Sequence, residues 1–432
     1  MNLETLYDIF LEHPVVTTDS RNCPAGALFF ALRGEKFNGN QFARQTLDNG
    51  CAYAVIDDPS YAEAGNDRII LVGNSLHTLQ QLANHHRKQL GTKMIGITGT
   101  NGKTTTKELI AAVLSRKYRV MYTQGNLNNH IGVPLTLLRL EREHELAIIE
   151  MGASHPGDIR ELAEIAEPDY GIITNVGKAH LEGFGSFEGV IRTKGELYDY
   201  LRGKKDSVVF IPQGNPYLNA ISDGLDLITY GNDATAYVSG KVTGNTPFLA
   251  FDWKSGTDET VYPVQTRLIG EYNFDNALAA VAIGCYLGVG PESINWALEE
   301  YTPQNNRSQL KETGKNHLVI DAYNANPTSM AASLENFRKM EVAHKSVILG
   351  DMKELGTASG EEHQKIIDRI GGCGFERVIL VGEEFGKVQS NYETFRDVEE
   401  LTAALQENGI EGNYVLIKGS NSMRLVKAAD YL

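Results

Sequence analysis

One stretch decides how the middle of this chain folds: Gly96-Ile97-Thr98-Gly99-Thr100-Asn101-Gly102-Lys103-Thr104-Thr105-Thr106. The run at 94–97 predicts a β-strand that leads into the glycines, and the pattern at 107–114 predicts a helix that follows them. A glycine turn between a strand and a helix presents backbone N–H groups and a helix N-terminus to a polyphosphate. The stretch therefore predicts a phosphate-binding loop.

Three side chains of this loop have expected tasks. Lys103 can reach the β- and γ-phosphates, the Thr104 hydroxyl can ligate Mg²⁺, and Thr105 supports the first helical turn. The spacing departs from the usual motif, because Ile97 stands where its first glycine is expected and Gly99 is the first glycine of the turn. An ordinary glycine turn before a helix is the alternative, but the Gly-Lys-Thr order after a strand favours phosphate binding.

Length and charge restrict the remaining possibilities. The 432 residues are enough for about three domains, and the net charge of −15 argues against nucleic acid or an anionic membrane as the main partner. The four cysteines are dispersed, which suggests neither a zinc site nor a disulfide framework. The N-terminus does not resemble a signal peptide, and the weakly polar run at 277–290 is too short to span a bilayer. We expect a cytoplasmic protein without membrane insertion.

Short apolar runs alternate with helical patterns along the chain, which predicts an α/β protein with mostly parallel sheets. We expect three domains, at 1–80, 81–303 and 304–432, with a polar linker around the second boundary. The segment 241–268 alternates like antiparallel strands and is interpreted as a possible insertion in the central domain.

Polar residues stand directly after two of the expected strands. Glu150 follows the apolar run 146–149, and His180 lies in a glycine-containing loop after the run 170–173. Open α/β sheets place their ligands outside the carboxyl ends of the strands, and a carboxylate there suits Mg²⁺ or a metal-bound water. A capping or salt-bridged glutamate and a structural histidine are the alternatives. The glycines and Asn175 around His180 favour metal or phosphate contact.

The loop at 98–104 resembles the ATP loop of the Mur ligases, the cytoplasmic ATP-dependent amide-bond-forming enzymes of peptidoglycan precursor synthesis. That family departs from the general loop spacing in the same way. The resemblance extends over most of the chain and includes the runs 18–21, 26–34, 125–136, 175–180, 194–197, 270–280 and 418–420. It implies a small N-terminal α/β substrate domain, a central P-loop domain with a parallel sheet, and a C-terminal Rossmann-like domain that closes on ATP.

The runs 321–330 and 349–356 are similar to one branch of that family. That branch adds D-alanyl-D-alanine to UDP-N-acetylmuramoyl-tripeptide, so the resemblance implies these two partners. The tripeptide-forming branch would be expected to show a Tyr-Ala-His-Thr-Pro-Asp-like run here, and this chain does not. Asn40 and Tyr272 replace residues that are often histidines in the branch.

The resemblance also implies a reaction and a set of site residues. ATP would phosphorylate the terminal carboxylate of the substrate, and the incoming amine would attack the resulting acyl phosphate. The implied catalytic residues are Lys103, Glu150, His180 and Lys194. The implied Mg²⁺ ligands are Thr104, Glu150, His180 and Lys194, the last at a position where the family carries a carbamylated lysine. The implied ATP contacts are Thr98, Gly99, Thr100, Asn101, Gly102, Lys103, Thr104, Thr105, Asn273, Asn276, Arg307 and Asp321. The implied substrate contacts are Ser20, Arg21, Asn128, Asn129, Asn324 and Asn326.

Several alternatives stay open at this level. The alternative for Lys194 is an unmodified surface lysine on a helix. For Asn273 the alternative is a helix N-cap, and for Lys418 it is a common Lys-Gly-Ser turn. A folylpolyglutamate-type ligase, a P-loop kinase or transporter ATPase, and a catalytically silent nucleotide-binding scaffold are the competing functions. The Asn-Ala-Asn-Pro run at 324–327 and the run 19–21 speak against the first. Three alternating α/β blocks with this third-domain pattern speak against the second, and the presence of Lys103, Glu150 and His180 speaks against the third. We expect a monomer; the third residue of the acceptor peptide and the degree of domain closure are not readable from the sequence.

Overall fold

The computed structural model describes residues 2–256, 259–304 and 306–432. Within these ranges the strands form sheets of four, nine and six strands and one separate two-stranded pair. The three large sheets follow one another along the chain, and helices pack on their faces. The α/β class with three successive α/β domains is therefore confirmed.

The N-terminal domain is a four-stranded parallel sheet in the order β1-β2-β5-β6. Its elements are α1 (Leu3–Glu12), β1 (Val16–Thr17), β2 (Leu28–Phe30), β3 (Arg33–Gly34), β4 (Phe37–Asn38), α2 (Ala43–Asp48), β5 (Tyr53–Ile56), β6 (Ile69–Leu71) and α3 (Ser75–Leu90). All of β2 is buried because both faces of the sheet are covered. Leu28 and Phe30 pack into the core that also holds residues of α1 and α3, and Phe29 packs into the smaller cluster that includes α2.

The central domain carries the nine-stranded sheet, in the order β15-β14-β13-β12-β11-β10-β7-β9-β8. Its first elements are β7 (Lys93–Thr98), α4 (Lys103–Leu114), β8 (Val120–Tyr122), α5 (Gly132–Leu137), β9 (Leu146–Glu150), α6 (Asp158–Ala166), β10 (Tyr170–Ile173), α7 (Leu181–Phe184), α8 (Phe187–Arg202) and β11 (Val208–Pro212). Its later elements are α9 (Pro216–Asn219), β12 (Leu227–Gly231), β13 (Val238–Asn245), β14 (Leu249–Ser255), β15 (Tyr262–Gln265), α10 (Phe274–Tyr286) and α11 (Pro291–Glu300). The antiparallel pairing expected for 241–268 is confirmed at β13–β14 and β14–β15. These strands extend the edge of the central sheet and do not form a sheet of their own.

The C-terminal domain has the strand order β16-β17-β21-β18-β19-β20, parallel except for the edge strand β16. Its elements are β16 (Gln309–Glu312), β17 (His317–Asp321), α12 (Pro327–Lys339), β18 (Lys345–Gly350), α13 (Ser359–Ile370), β19 (Arg377–Val381), α14 (Glu383–Gly386), β20 (Glu393–Phe395), α15 (Val398–Glu407) and β21 (Tyr414–Lys418). Successive residues of β18 point to opposite faces, so Val347 and Leu349 join the core beneath α12 and α13 while Ile348 joins the core beneath α15.

The domain boundaries at 80 and 303 stay predictions. Helix α3 runs without a break through residue 80 and packs against α1 of the first domain and against α5 and α6 of the second. A single helix thus fixes these two domains to each other. No helix in the described part of the chain is long and apolar enough to cross a membrane.

Asn40 has a structural task in the N-terminal domain. Its side chain is fully buried; the amide nitrogen donates to Asn38 at 2.8 Å and to Asp57 at 2.9 Å, and the amide oxygen accepts the backbone N–H groups of Asp57 at 2.9 Å and Asp58 at 3.2 Å. All the usual hydrogen-bonding capacity of a side-chain amide is therefore used within this domain.

We predict that Asn40→Ala destabilises the N-terminal domain by about 2–3 kcal/mol, because it leaves two partly buried backbone N–H groups without acceptors. Urea unfolding of the purified protein measures this loss. Asn49→Ala, at an exposed position after α2, is the control and is expected to change stability by less than about 0.5 kcal/mol. Equal stability of the Asn40 variant and the wild type would contradict the assigned role.

Candidate active site

The phosphate-binding loop has the backbone geometry that the sequence predicts. Strand β7 ends at Thr98, and Gly102 immediately precedes α4 with a left-handed φ of +78°. A side chain at Gly102 would have its Cβ 2.5 Å from Oδ1 of Asn276, and one at Gly99, where φ is +142°, would collide with the Thr174 hydroxyl. Both positions therefore require glycine.

Lys103 is held across this loop. Its Nζ donates to the carbonyl oxygens of Gly99 at 2.6 Å and Thr100 at 3.2 Å. Burial lowers the pKa of Lys103, and the charge of Arg307 lowers it further, whereas Glu150 opposes the change. The loop and Lys103 line one side of a cavity of about 960 Å³ between the central and C-terminal domains.

Glu150 is the last residue of β9, and only 2% of its side chain is exposed. The Thr104 hydroxyl donates to it at 3.0 Å, the Asn128 amide donates at 2.9 Å, and the Lys107 ammonium lies 3.6 Å from the carboxylate. Because Glu150 pairs with Ile97 across the parallel strands β9 and β7, the carboxylate reaches the start of α4 directly. Two of the residues expected to bind Mg²⁺, Thr104 on α4 and Glu150 at the end of β9, are therefore in hydrogen-bond contact.

Lys107 is a functional candidate that the sequence did not single out. Its side chain is 1% exposed, and it lies one turn after Lys103 on the same helix face. A lysine four positions after the loop lysine, directly before the apolar part of the helix, was the available signal. Its charge offsets that of Glu150 where no solvent can do so.

His180 and Lys194 lie at different distances from the cavity. His180 lines the cavity, and its Nδ1 contacts the carboxylate of Glu354 from the C-terminal domain. Lys194 does not line the cavity; it is buried on α8 with Nζ 5.2 Å from the centroid of the Phe184 ring. Burial and the charge of Lys103 lower the pKa of Lys194 to about 7. No group of three or more His, Cys, Asp and Glu side chains with metal-binding spacing occurs among the described residues.

The expected nucleotide contacts form a second wall of the cavity. The Asn276 amide donates to Asn273 at 2.9 Å and accepts the Thr106 hydroxyl at 3.0 Å, so both asparagines lie on one face beside the loop. The Arg307 guanidinium stacks 3.7 Å from the centroid of the Tyr323 ring. Asp321, Arg307 and both asparagines line the cavity, as the sequence led us to expect.

Tyr272 also lines this wall. Its hydroxyl hydrogen-bonds to Ser308 at 2.7 Å, and burial raises its pKa above the usual value. The tyrosine thus joins the central domain to the segment that leads into β16.

Polar contacts hold the C-terminal domain against the loop. The Asn326 amide, which also caps α12, donates to the Asn101 side chain at 2.8 Å. Lys178 donates its backbone N–H to the Thr328 hydroxyl at 3.1 Å and pairs through Nζ with Glu362 at 3.1 Å. The two domains therefore meet around the loop, and the cavity receives side chains from both.

Not every expected residue lies at this cavity. Arg21 is exposed on the N-terminal domain, where it pairs with Asp19 at 2.9 Å, and neither it nor Ser20 lines the cavity. Four more of the expected residues are not part of the cavity lining: Thr98, Gly99, Lys194 and Asn326. Asn128, Asn129 and Asn324 line it, although Asn129 uses its side-chain oxygen to accept two backbone N–H groups at the start of α5.

Comparison with known proteins matches all three domains to one family. The description "Mur ligase family, catalytic domain" matches residues 14–87, "Mur ligase middle domain" matches 97–284, and "Mur ligase, glutamate ligase domain" matches 306–421. A UDP-N-acetylmuramoyl-tripeptide–D-alanyl-D-alanine ligase of Bacillus subtilis is 36% identical over 425 residues, which are 95% of this chain and 91% of the relative.

This chain belongs to the Mur ligase family.

Solved structures of the family share the whole fold. A crystal structure of MurF from Acinetobacter baumannii is 30% identical and superposes with a TM-score of 0.86, over 96% of this chain and 92% of that one. MurF ligase from Thermotoga maritima in complex with ADP is 27% identical with a TM-score of 0.86, over 98% of this chain and 97% of that one. The structural similarity thus extends over all three domains of this Mur ligase.

Lys418 is a second residue whose importance the sequence left open. It is 2% exposed at the end of β21, and its Nζ donates to Asp321 at 2.6 Å. Burial alone would raise the pKa of Asp321, but Lys418 and the Ser333 hydroxyl, which donates at 2.8 Å, outweigh burial and lower it. Lys418 therefore keeps Asp321 ionised at the cavity wall.

We predict that Lys418→Met destabilises the protein by about 3–5 kcal/mol at neutral pH, because the Asp321 carboxylate loses its buried partner. A carboxyl group with a lowered folded-state pKa contributes stability above its unfolded pKa and loses it as the pH falls. The difference from wild type should therefore shrink below about pH 4. Urea unfolding at pH 7 and pH 4 measures this, with Lys427→Met, whose partner Glu399 is exposed, as a control expected to change little. A difference that does not depend on pH would contradict the pairing.

Proposed function

We propose that this Mur ligase joins D-alanyl-D-alanine to UDP-N-acetylmuramoyl-tripeptide with hydrolysis of ATP, in the cytoplasm and as a monomer. The observation that supports this most directly is the cavity itself. It brings the phosphate-binding loop of one domain against the Asn-Ala-Asn-Pro segment at 324–327 of another. The relatives that match over nearly the whole chain carry the name of this reaction. The product is an intermediate of peptidoglycan synthesis.

The reaction has two chemical stages. The terminal carboxylate of the tripeptide attacks the γ-phosphorus of ATP, which forms an acyl phosphate and releases ADP. The amine of the dipeptide then attacks the acyl carbon, loses a proton, and expels inorganic phosphate as the amide forms. Because every reactant of the first stage is anionic, positive charge and N–H donors are needed where the phosphates meet the carboxylate.

The residues of the loop supply that environment. The backbone N–H groups at 102–105, at the N-terminus of α4, would face the β- and γ-phosphates, and Lys103 would leave the carbonyl oxygens of the loop to contact them. Arg307 and Asp321 bind the phosphates and the ribose, and Asn273 and Asn276 bind the adenine side. Substrate contacts are assigned to Asn128, Asn129, Asn324 and Asn326 around the cavity, and to Ser20 and Arg21 for the uridine diphosphate on the N-terminal domain.

Mg²⁺ fits the groups beside the loop. The Thr104 hydroxyl and the Glu150 carboxylate already converge at 3.0 Å, and hard oxygen donors of this kind suit Mg²⁺. His180 and Lys194 complete the proposed set of ligands, the latter as a carbamate. Bound Mg²⁺ would neutralise charge on the transferring phosphoryl group.

Lys194 is suited to carbamylation by its surroundings. A carbamate forms when a neutral amine attacks the carbon of CO₂ and releases a proton, so an ammonium cannot react. Burial and the charge of Lys103 lower the pKa of Lys194 to about 7, which makes the neutral amine available at ordinary cytoplasmic pH. The product would be an anion beside a cation-binding site.

We predict that phosphate release from ATP depends on both the muramoyl tripeptide and D-alanyl-D-alanine. Each substrate is omitted in turn in a phosphate-release assay, and the amide product is followed by mass spectrometry. Lys103→Ala, which removes a charge at the transferring phosphoryl group, should lower turnover by about 100-fold or more. Strong phosphate release with ATP alone, unaffected by either substrate, would replace the ligase assignment with that of an ATPase.

We predict that Lys194→Ala is severely impaired and that acetate or formate restores part of its activity. With ¹³CO₂ at a fixed dissolved concentration, the wild type should show a carbamate signal by ¹³C NMR that is weak below pH 7 and increases above it. The sign follows from the lowered pKa, because the reactive neutral amine accumulates as the pH passes about 7. Lys205→Ala, an exposed lysine of the same domain, should keep both signal and activity. A fully active Lys194→Ala enzyme would defeat the idea.

A further inference from the structure

Two non-glycine residues in left-handed backbone conformations meet in the cavity. His180 has a φ of +49° and Glu354 a φ of +63°. They lie in loops of different domains, and the Glu354 carboxylate contacts Nδ1 of His180. Non-glycine residues adopt this backbone conformation only rarely. It tends to be kept where function requires a side chain at a particular place. Glu354 is one of these two residues. Neither the sequence nor the proposed function assigns it a role.

Two carboxylates of the cavity are available to a ligand, Glu354 and the exposed Asp275 of α10, and of these two only Glu354 belongs to the C-terminal domain. Glu150 is buried among Thr104, Asn128 and Lys107, and Asp321 is bound by Lys418 and Ser333. Two carboxylates on α6 are also engaged, since Asp158 accepts the backbone N–H groups of Ser154 and His155, and Glu161 accepts the amide of Gln80. The side chain of Glu354 is 59% exposed, and its contact with His180 uses Oε2.

We propose that the Glu354 carboxylate binds the ammonium group of the incoming dipeptide. The inference rests on the proposed function, which requires a peptide with a free amine to approach the acyl phosphate. A carboxylate is the natural partner of an ammonium group, and an ion pair of this kind is strengthened in a cavity that excludes part of the solvent. The proposal concerns binding alone, and no covalent bond is made or broken at Glu354.

The position of Glu354 matches where that amine has to be. The loop that carries His180 follows β10, which pairs with β7, the strand that leads into the phosphate-binding loop. A group held beside His180 is therefore close to the site of phosphoryl transfer. The C-terminal domain, which supplies Glu354, also supplies Asn324 and Thr328 to the same cavity, so one domain presents an anion for the amine and amide and hydroxyl groups for the remainder of the dipeptide.

The loop around Glu354 is built to hold the carboxylate in place. On one side, Asp351 is fully buried and accepts the backbone N–H groups of Glu384 and Phe385 at 3.1 and 3.0 Å. On the other side, Gly356 has a φ of +54° and lies against the side chain of Glu182 from the central domain. Fixed at both ends, the segment presents Glu354 to the cavity only when the two domains are together. Binding of the amine is thereby linked to closure.

The test removes the charge of Glu354 while keeping its shape. In Glu354→Gln the KM for D-alanyl-D-alanine should rise by about 10- to 100-fold, the range expected for losing a hydrogen bond to a charged partner, while the KM for ATP stays unchanged. Glu354→Asp should recover part of the affinity. Glu361→Gln, which removes an exposed carboxylate of the same domain that pairs with Lys365, is the matched control and should behave as wild type.

A dipeptide analogue without the amine separates recognition from structural damage. Propanoyl-D-alanine keeps the amide and the terminal carboxylate of the dipeptide, so calorimetric binding in the presence of a non-hydrolysable ATP analogue and the muramoyl peptide should be equal in wild type and Glu354→Gln. D-alanyl-D-alanine should bind the variant more weakly than the wild type under the same conditions.

Three results would overturn the inference. These are an unchanged KM for the dipeptide in Glu354→Gln, equal weakening of the dipeptide and its amine-free analogue, and a fall in kcat alone, which would make Glu354 a positioning residue for His180. Failure of the proposed function would look different, because the wild type itself would then release phosphate without regard to D-alanyl-D-alanine.

Discussion

The carboxylate of Glu150 is the group on which the arrangement of this active site depends. A charge that is 2% exposed is costly unless it is paired, and here a hydroxyl, an amide and an ammonium surround it. These partners come from α4 and from the segment before α5, so satisfying one carboxylate fixes the loop, the helix and the neighbouring strand end relative to one another. The cavity floor is rigid because any other arrangement leaves a buried charge or polar group unpaired, which is destabilising.

The opposite wall of the cavity is attached in a different way. Around the loop, the C-terminal domain meets the central domain through hydrogen bonds and ion pairs such as Asn101–Asn326 and Lys178–Glu362. Polar contacts between domains exchange readily with water, and interfaces of this kind allow relative motion. A ligand that contacts both walls stabilises the closed form by its additional affinity for it.

Local patterns in the sequence predicted the local parts of the structure. Apolar runs located the strands β7, β9 and β10 of the central sheet, and the glycine spacing located the loop, because both signals lie within a few consecutive residues. The antiparallel edge at β13–β15 was readable for the same reason. The sequence did not predict two pairings between distant residues. Asp321 pairs with Lys418, 97 positions apart, and His180 pairs with Glu354. No periodicity marks such pairs, because the parallel pairing of β17 with β21 brings Asp321 beside Lys418, and the contact between two domains brings His180 to Glu354. The boundary expected after residue 80 falls inside α3, which an amphipathic pattern alone assigns to neither domain.

Asn40 and Tyr272 show how two departures from a family pattern can differ in consequence. All the hydrogen bonds of the Asn40 amide are made within the N-terminal domain. The role of this residue is therefore structural and lies away from the cavity. Tyr272 lines the cavity and bonds to Ser308 on the segment that leads into the C-terminal domain. A histidine there would present a ring nitrogen that titrates near neutral pH, whereas the buried phenol, with its raised pKa, stays uncharged. Tyr272 therefore keeps one charge state in this wall of the cavity across the physiological pH range.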